Sequence, residues 1–247
     1  MTPGRRVVAI VGLALLVGGL VWGVTGLYGF GRYHAAYGRL VARAAVPDRS
    51  ATNSVVVTAF DYRAFDTLGE EFILFVSVIG VLVLLRRLRG ERGRDEATAA
   101  AEDRRASEST RWIGLALVGP LVVLTAYIVV HGQLTPGGGF QGGVILMGAI
   151  AFVSVGGESM VLLRLRRTSS WVEMVESAGA AGFAMIGFGG LIVTGVFFEN
   201  FISKGTSGLL TGGMIPLANV AVGLEVGGAL LMVIAEMFDQ RLRGRQS

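Results

Sequence analysis

The sequence of 247 residues contains no cysteine, only two histidines, and a single lysine among its 22 basic residues. The absence of thiols excludes disulfide frameworks, thiolate metal sites and cysteine nucleophiles. His34 and His131 are also too few for most imidazole-bound cofactors. No Ser/His/Asp arrangement and no H-E-x-x-H motif is present. We therefore predict a non-catalytic chain without a cofactor, and no metal site can be assigned to it.

The sequence also has few charged residues. They make up 16% of the chain, against 52% hydrophobic residues, whereas a soluble domain carries about 25% charged residues. A chain surrounded by lipid does not need charged residues to cover its surface, so the composition indicates an integral membrane protein. The net charge of +4 comes mostly from arginines that flank hydrophobic runs. They are typical of topology signals, and we predict no nucleic-acid partner.

Long apolar runs predict about six transmembrane helices, because about 20 residues are needed to cross the hydrocarbon core. The shortest run, Phe72–Leu85, becomes long enough when Asp66–Glu71 is included. The N-terminal run could instead be a secretory signal peptide, but it is too long and lacks a clear cleavage site. The predicted spans are Val7–Tyr28, Phe72–Leu85 with its extension, Trp112–Val130, Phe140–Leu163, Ser177–Phe198 and Pro216–Met237.

The distribution of arginines orients these spans. Most of them fall on the side of the two termini, so the positive-inside rule places both termini in the cytoplasm. A charged, alanine-rich stretch without large apolar residues follows the second span. It predicts a two-span unit at 1–90, a cytoplasmic linker at 91–109 and a four-span unit at 110–247. The predicted fold class is thus an all-α membrane protein with two plus four spans.

The most distinctive local segment is HGQLTPGGGFQGGVILMGAIAF, which begins at His131. Its glycines formally match G-x-G-x-x-G, but the strand and crossover that a dinucleotide site requires are missing. Glycines four residues apart predict close helix packing, which we favour over ion coordination by backbone carbonyls. The residues assigned to this hairpin and to packing are Pro136, Gly137, Gly138, Gly139, Gly142, Gly143, Gly223 and Gly227.

Glu225 is the strongest candidate for an ion path, because it lies near the middle of the last span. An unpaired charge at that depth costs at least about 2.5–3.5 kcal/mol, so it persists where it has a function or a partner. Reversible protonation is one interpretation. A structural pair with a basic residue of another subunit is the alternative.

The other ionisable residues in or beside the spans are weaker candidates. Glu158 lies close enough to Arg164 for a simple ion pair at the cytoplasmic end of its span. Asp61, Asp66, Glu70 and Glu71 cluster at the outer entrance of the second span, where they form either a site for a hard cation such as Na⁺ or a hydrated outer rim. Within this cluster, Asp66 and Glu70 share a helix face if the helix begins that early. His131 follows the third span, where it either relays protons or binds the hairpin backbone.

Two segments resemble a known family. The glycine hairpin and the stretch GLLTGGMIPLANVAVGLEVGGALLMVIAEM, from Gly208 to Met237, resemble the B subunit (MnhB type) of Mrp-type multisubunit Na⁺/H⁺ antiporters. NSVVVTAFDYRAFDTLGEEFILFVSVIGVLVLL, from Asn53 to Leu85, is similar to the C-terminal end of the large A-type chain of those antiporters. In that family a valine-rich strand, here Val55–Thr58, precedes the membrane helix. The resemblance implies a fused subunit.

The resemblance also implies a setting for the chain. It would lie in the cytoplasmic membrane of a prokaryote, beside large complex-I-like antiporter subunits and other small membrane subunits, in a complex that exchanges Na⁺ for H⁺. Its role would be the sodium path, assembly, or both. The same module occurs in membrane-bound hydrogenases, so membership of such a respiratory complex is one alternative. A purely structural scaffold is the other.

Overall fold

The computed structural model describes residues 3–27, 36–85, 107–155, 169–205 and 208–244, and these residues form helices and turns without any strand. Two compact units are distinguished, Met1–Leu40 and Val41–Ser247. The first unit contains helix α1, Pro3–Thr25, whose large apolar side chains from Leu13 to Val24 are exposed. Such a surface suits contact with lipid tails or with another membrane helix.

The second unit is built around one long helix. Helix α2 (Ala36–Arg49) contains the start of this unit. It is followed by α3 (Ser54–Val57) and a π-helical turn, Thr58–Tyr62. The remaining helices are α4 (Ala64–Leu85), α5 (Glu108–Val130), α6 (Gly139–Val155), α7 (Ser169–Thr194) and α8 (Ile215–Gly244). Helix α8 packs against α4, α5, α6 and α7, so it is the element on which the others are positioned.

The helices confirm an all-α membrane protein. Four are long and apolar enough to cross a bilayer: Ala64–Leu85, Glu108–Val130, Ser170–Thr194 and Ile215–Met237. Two shorter apolar helices, Ile10–Thr25 and Gly139–Val153, coincide with the first and fourth predicted spans. The helix of the second predicted span is Ala64–Leu85, so it begins two residues before the predicted extension at Asp66. The predicted division into 1–90, 91–109 and 110–247 remains a prediction.

The N-terminal ends of α4 and α8 and the C-terminal half of α7 meet in an aromatic core. Phe183 of α7 packs edge-on against Phe60 and at a tilt against Phe198, with ring centroids 5.8 and 5.1 Å apart. Met214, just before α8, and Ile215 with other buried residues of the first turns of α8 belong to the same cluster. This core fixes the N-terminal end of α8 relative to α4 and α7.

Two expectations from the sequence are wrong. Val55–Thr58 is not a strand but helix α3 and the start of the π-helical turn. Asn53 caps this helix, since its side-chain oxygen accepts hydrogen bonds from the backbone N–H groups of Val55 and Val56 at 3.2 and 3.4 Å. An N-cap outweighs the weak, context-dependent preference of valine for strands.

The fifth span begins earlier than Ser177 and ends earlier than Phe198. Helix α7 starts at Ser169 and ends at Thr194, so it includes Glu173 and Glu176, which hydropathy alone places outside the membrane. Glu173 is exposed, and Glu176 is buried against another helix. Charge therefore does not end this helix, because one of its carboxyl groups is covered by protein.

Candidate functional site

Two buried carboxyl groups face each other between membrane helices. Glu71 of α4 and Glu225 of α8 are 4% and 1% exposed, and their carboxyl groups lie close enough for each to affect the charge of the other. Both border a cavity of about 300 Å³ between α4, α7 and α8. None of their four oxygens accepts a hydrogen bond from any residue that the structure describes. We call this arrangement the carboxyl pair.

The walls of the cavity are almost entirely apolar. Helix α4 contributes leucine and phenylalanine side chains, and α7 contributes small residues. Apart from the carboxyl pair, the only polar side chain at the cavity, among the described residues, is that of Ser177. The other lining residues are Leu68, Phe72, Phe75, Ala180, Ala181 and Ala184. A carboxylate in such surroundings has lost its hydration without gaining a protein partner, so the pair is suited to hold a mobile positive charge.

Glu176 of α7 is a third buried carboxyl group near the pair. It is 4% exposed, and its Oε1 has no hydrogen-bond partner among the described residues. The negative charge of Glu225 acts on it. Glu225 thus has a buried acidic neighbour on each of two other helices, Glu71 on α4 and Glu176 on α7.

The acidic residues that the sequence singled out beside the second span do not join the pair. Asp66 and Glu70 both belong to α4, but both are exposed. Asp66 forms an ion pair with Arg63. The buried carboxyl group of this helix is that of Glu71, which the sequence placed in the acidic cluster at the entrance of the span without singling it out. Glu158 lies outside the described residues.

The glycine hairpin connects α5 to α6 and contacts the segment before α3. The side-chain nitrogen of Asn53 donates hydrogen bonds to the carbonyls of Gly132 and Thr135, at 2.8 and 3.0 Å. Gly137 and Gly138 have φ values of 147° and 142°, which L side chains rarely adopt. The carbonyls of Gly132 and Thr135 therefore have a structural role as hydrogen-bond acceptors. Pro136, the residue after Thr135, is exposed.

His131 ends helix α5 and interacts with its own helix. Its ring stacks on Tyr127, with centroids 4.3 Å apart, and its Nδ1 lies 3.1 Å from the carbonyl oxygen of Tyr127. Among the described residues it has no contact with the carboxyl pair. A proton relay through His131 therefore remains a prediction, whereas its hydrogen bond to the backbone is observed.

Helices α6 and α8 approach closely through their glycines. A side-chain carbon at Gly139 would lie 2.9 Å from the backbone nitrogen of Gly223, and one at Gly143 equally close to that of Gly227. Gly142 points instead toward Val129 of α5. Asn219, fully buried, accepts a hydrogen bond from the backbone N–H of Gly139 at 3.0 Å. Small residues on both helices thus allow direct contact of the backbones.

An ion-pair cluster outside the membrane spans joins the π-helical turn to the loop after α7. Arg49 pairs with Asp61 and lies 3.8 Å from Glu199. Asn200 donates a hydrogen bond to Asp61 at 3.3 Å and another to the carbonyl of Gly212 at 2.9 Å. Burial raises the pKa of Asp61, and Arg49 and Asn200 offset only part of that rise.

The raised pKa of Asp61 predicts a pH-dependent contribution to stability. The folded state binds this proton more tightly than the unfolded chain, so the contribution is present below about pH 4 and is lost as pH rises through the raised pKa. Asp61→Asn removes it. The melting temperature of the wild type relative to Asp61→Asn should therefore fall between pH 4 and pH 7. Each 1 kcal/mol lost from the free energy of unfolding lowers the melting temperature by about 2–4 °C.

Thermal unfolding in detergent at a series of pH values measures this difference. Asp48→Asn is the matched control, because it removes an exposed carboxylate from the same cluster. Its melting temperature relative to the wild type should change little over that range. An advantage of the wild type over Asp61→Asn that grows toward neutral pH would mean that the pairing with Arg49 outweighs burial.

Comparison with family models covers most of the chain. Residues 110–232 match the model described as a domain related to the MnhB subunit of Na⁺/H⁺ antiporter. Residues 28–104 match the model of the MBH E-type subunit. The first match therefore begins shortly after the second one ends.

Two curated relatives are each 30% identical to the chain. The first, an uncharacterized protein of Methanocaldococcus jannaschii, aligns over 198 residues, which are 70% of this chain and 72% of that protein. The second, a probable K⁺/H⁺ antiporter A/B-type subunit of Rhizobium meliloti, aligns over 163 residues, or 56% of this chain and 16% of that protein. The chain therefore spans only a small part of the second relative.

Two solved structures share the fold. A chain of the membrane-bound sulfane sulfur reductase, an archaeal respiratory membrane complex, superposes with a TM-score of 0.65 at 24% identity, covering 95% of this chain and 98% of that one. A chain of the Mrp complex from Dietzia sp. DQ12-45-1b gives the same TM-score and identity, covering 96% of this chain and 26% of that one. At this identity the likeness shows the fold alone.

Proposed function

We propose that this chain, which belongs to the family of proteins with a domain related to the MnhB subunit of Na⁺/H⁺ antiporter, is part of a multisubunit monovalent cation/proton antiporter complex. It is a multi-pass membrane protein, and its partners are other membrane subunits. Within that complex the carboxyl pair of Glu71 and Glu225 takes up and releases the proton. The observation that carries this proposal is the burial of both groups in one cavity without a hydrogen-bond donor among the described residues.

The charge balance of the pair supports a mobile positive charge. Two ionised carboxylates in contact repel each other, and the apolar walls do little to screen that repulsion. No arginine, lysine or histidine in the described part of the chain pairs with either group. The pair is therefore most stable with one positive charge between its two members. Exchange of that charge is the elementary step of transport.

The composition of the site favours a proton over an alkali cation. Hard cations take about six or more oxygen ligands when they bind to protein. At the cavity the polar side chains are the two carboxyl groups and Ser177, and no cluster of three or more acidic or histidine residues suited to a metal ion occurs among the described residues. A proton needs only one oxygen. We assign the Na⁺ or K⁺ ligands to other subunits of the complex.

Glu71→Gln tests this function against a neighbouring control. In inverted vesicles that contain the complete complex, the Na⁺-dependent collapse of a pH gradient should fall at least about tenfold, because glutamine cannot exchange the proton. Glu70→Gln, an exposed position one residue away, should stay near the wild-type rate. Native gels report assembly, and the assay is repeated with K⁺. Wild-type exchange by an assembled Glu71→Gln complex would remove the pair from the path.

The match of residues 28–104 to the MBH E-type model supports one alternative. In that case the chain belongs to a respiratory membrane complex, and electron transfer drives the same ion module. Genes for redox subunits beside this one would favour the alternative, and genes for antiporter subunits alone would favour the antiporter. The carboxyl pair has the same task in both.

A further inference from the structure

Glu176 is a buried carboxyl group that the carboxyl pair alone does not explain. It is 4% exposed, whereas Glu173, about one helical turn away on α7, is exposed. One of its oxygens has no partner in the part of the chain that the structure describes. Burial of an acidic side chain within the membrane costs free energy that exposure to water would avoid, so such a residue is expected to have a function or a partner.

Two glycines bring Glu176 to α8. A side-chain carbon at Gly228 would lie 2.9 Å from Cβ and 3.2 Å from the backbone nitrogen of Glu176. One at Gly179, on the same face of α7, would lie 2.5 Å from the backbone nitrogen of Glu225. Glycine at both positions removes the side chains that would otherwise separate the helices. The close approach of α7 and α8 thus holds Glu176 beside Glu225.

Glu176 and Glu225 lie at different depths along the bundle. Glu176 is level with Gly228, which follows Glu225 by three residues on α8 and is therefore about 4.5 Å farther along the helix axis. That direction leads to the predicted cytoplasmic end of α8. Glu71 lies on α4 and borders the cavity together with Glu225, and Glu225 is the acidic residue that interacts with both Glu71 and Glu176. The acidic groups therefore form a series from Glu71 through Glu225 to Glu176.

We propose that Glu176 is the inner proton acceptor of this series. It receives the proton from Glu225 and passes it toward the cytoplasmic end of α7. In this step an O–H bond of the Glu225 carboxyl breaks and one forms on the Glu176 carboxylate, so the negative charge moves from Glu176 to Glu225. Glu225 is then ready to take the next proton from Glu71. This inference rests on the proposed function of the carboxyl pair.

The test compares Glu176→Gln with Glu173→Gln in the assembled complex. Two rates are measured in vesicles: exchange of Na⁺ for H⁺, and exchange of external for internal ²²Na⁺, which moves no proton. Glu176→Gln should lower the first at least about tenfold and leave the second within about twofold of the wild type. Glu173→Gln should leave both rates near the wild-type values.

Several results would overturn the proposal. Wild-type proton-coupled exchange in an assembled Glu176→Gln complex would show that no proton passes this residue. Equal loss of both rates would assign it to the cation route or to structure. If the glutamine variant does not assemble, Glu176→Met, which keeps similar volume without a buried polar group, takes its place. Failure of both variants to assemble would make Glu176 a structural residue.

Failure of this step is distinguishable from failure of the carboxyl pair. If Glu71→Gln and Glu225→Gln lower proton-coupled exchange while Glu176→Gln does not, the pair keeps its function and Glu176 lies off the route. If none of the three variants changes the rate, the proposed function itself is wrong. Loss in all three with intact Na⁺/Na⁺ exchange supports both.

Discussion

Replacing Glu225 by glutamine is expected to lower proton-coupled cation exchange at least about 100-fold while the complex stays assembled. Glu225 is the most buried of the three acidic groups, at 1% exposed, and it interacts with both of the others. Glutamine keeps the shape of the side chain but can neither accept nor release a proton at this step. Loss of Glu225 therefore removes the contact between the outer and inner parts of the series.

Two further variants make this prediction specific to the carboxyl group. Glu225→Asp keeps the carboxyl group on a shorter side chain, so exchange should be slower than in the wild type but faster than in the glutamine variant. Glu71→Gln combined with Glu225→Gln should be no slower than Glu225→Gln alone, because residues that act as one unit give non-additive effects. The measurement is the initial rate of pH-gradient collapse after a Na⁺ pulse.

Retained exchange in an assembled Glu225→Gln complex would contradict this account. The group would then be a buried structural partner, most simply for a basic side chain of a neighbouring membrane protein, which is the alternative interpretation of the sequence. In that case Glu225→Gln would instead reduce the yield of the complex on a native gel. The two interpretations thus predict opposite outcomes for rate and assembly.

The sequence predicted the membrane class and singled out Glu225 for a physical reason. A carboxyl group in the middle of a long apolar run is conspicuous, since nothing near it in sequence explains it. Glu71 and Glu176 lie near the ends of apolar runs, where charges are ordinary. Hydropathy alone places both at the rim of the membrane, and only the packing of α4 and α7 against α8 shows that they are buried.

The helical period of α4 carried a signal for Glu71. The buried residues of this helix are Ala64, Thr67, Glu71 and Val78, spaced three, four and seven positions apart, as expected for one helix face. Neither Asp66 nor Glu70 fits that spacing. The signal depends on knowing that the helix begins at Ala64, two residues before the predicted extension at Asp66. Contacts between helices, such as Asn219 with Gly139, have no such local pattern and could not be predicted.

Replacement of Gly139 by valine is expected to prevent assembly of the complex. A side-chain carbon at this position would lie 2.5 Å from the backbone oxygen of Asn219, 2.8 Å from Cβ of Val222 and 2.9 Å from the backbone nitrogen of Gly223. Two of these three atoms belong to the backbone of α8 and cannot rotate away. Helix α6 would have to move, and the hydrogen bond from Gly139 to Asn219 would be lost.

The expected magnitude follows from the position of α8. Overpacking of a tight interface costs about 1–3 kcal/mol, and the lost hydrogen bond leaves a second buried polar atom of Asn219 unpaired, at about 1–3 kcal/mol. Because α8 also positions Glu225 and supports α4 and α7, displacement of α6 affects the whole bundle. We expect at least about a tenfold decrease in the amount of assembled complex.

The matched control lies on the same helix. Gly148 is also on α6, and a side-chain carbon there would meet no atom within 4 Å, so Gly148→Val should assemble as the wild type does. Native gels and thermal unfolding in detergent measure the effect of both variants. Normal assembly of Gly139→Val would mean that α6 can separate from α8 at little cost, and close glycine packing would then not be what holds this bundle together.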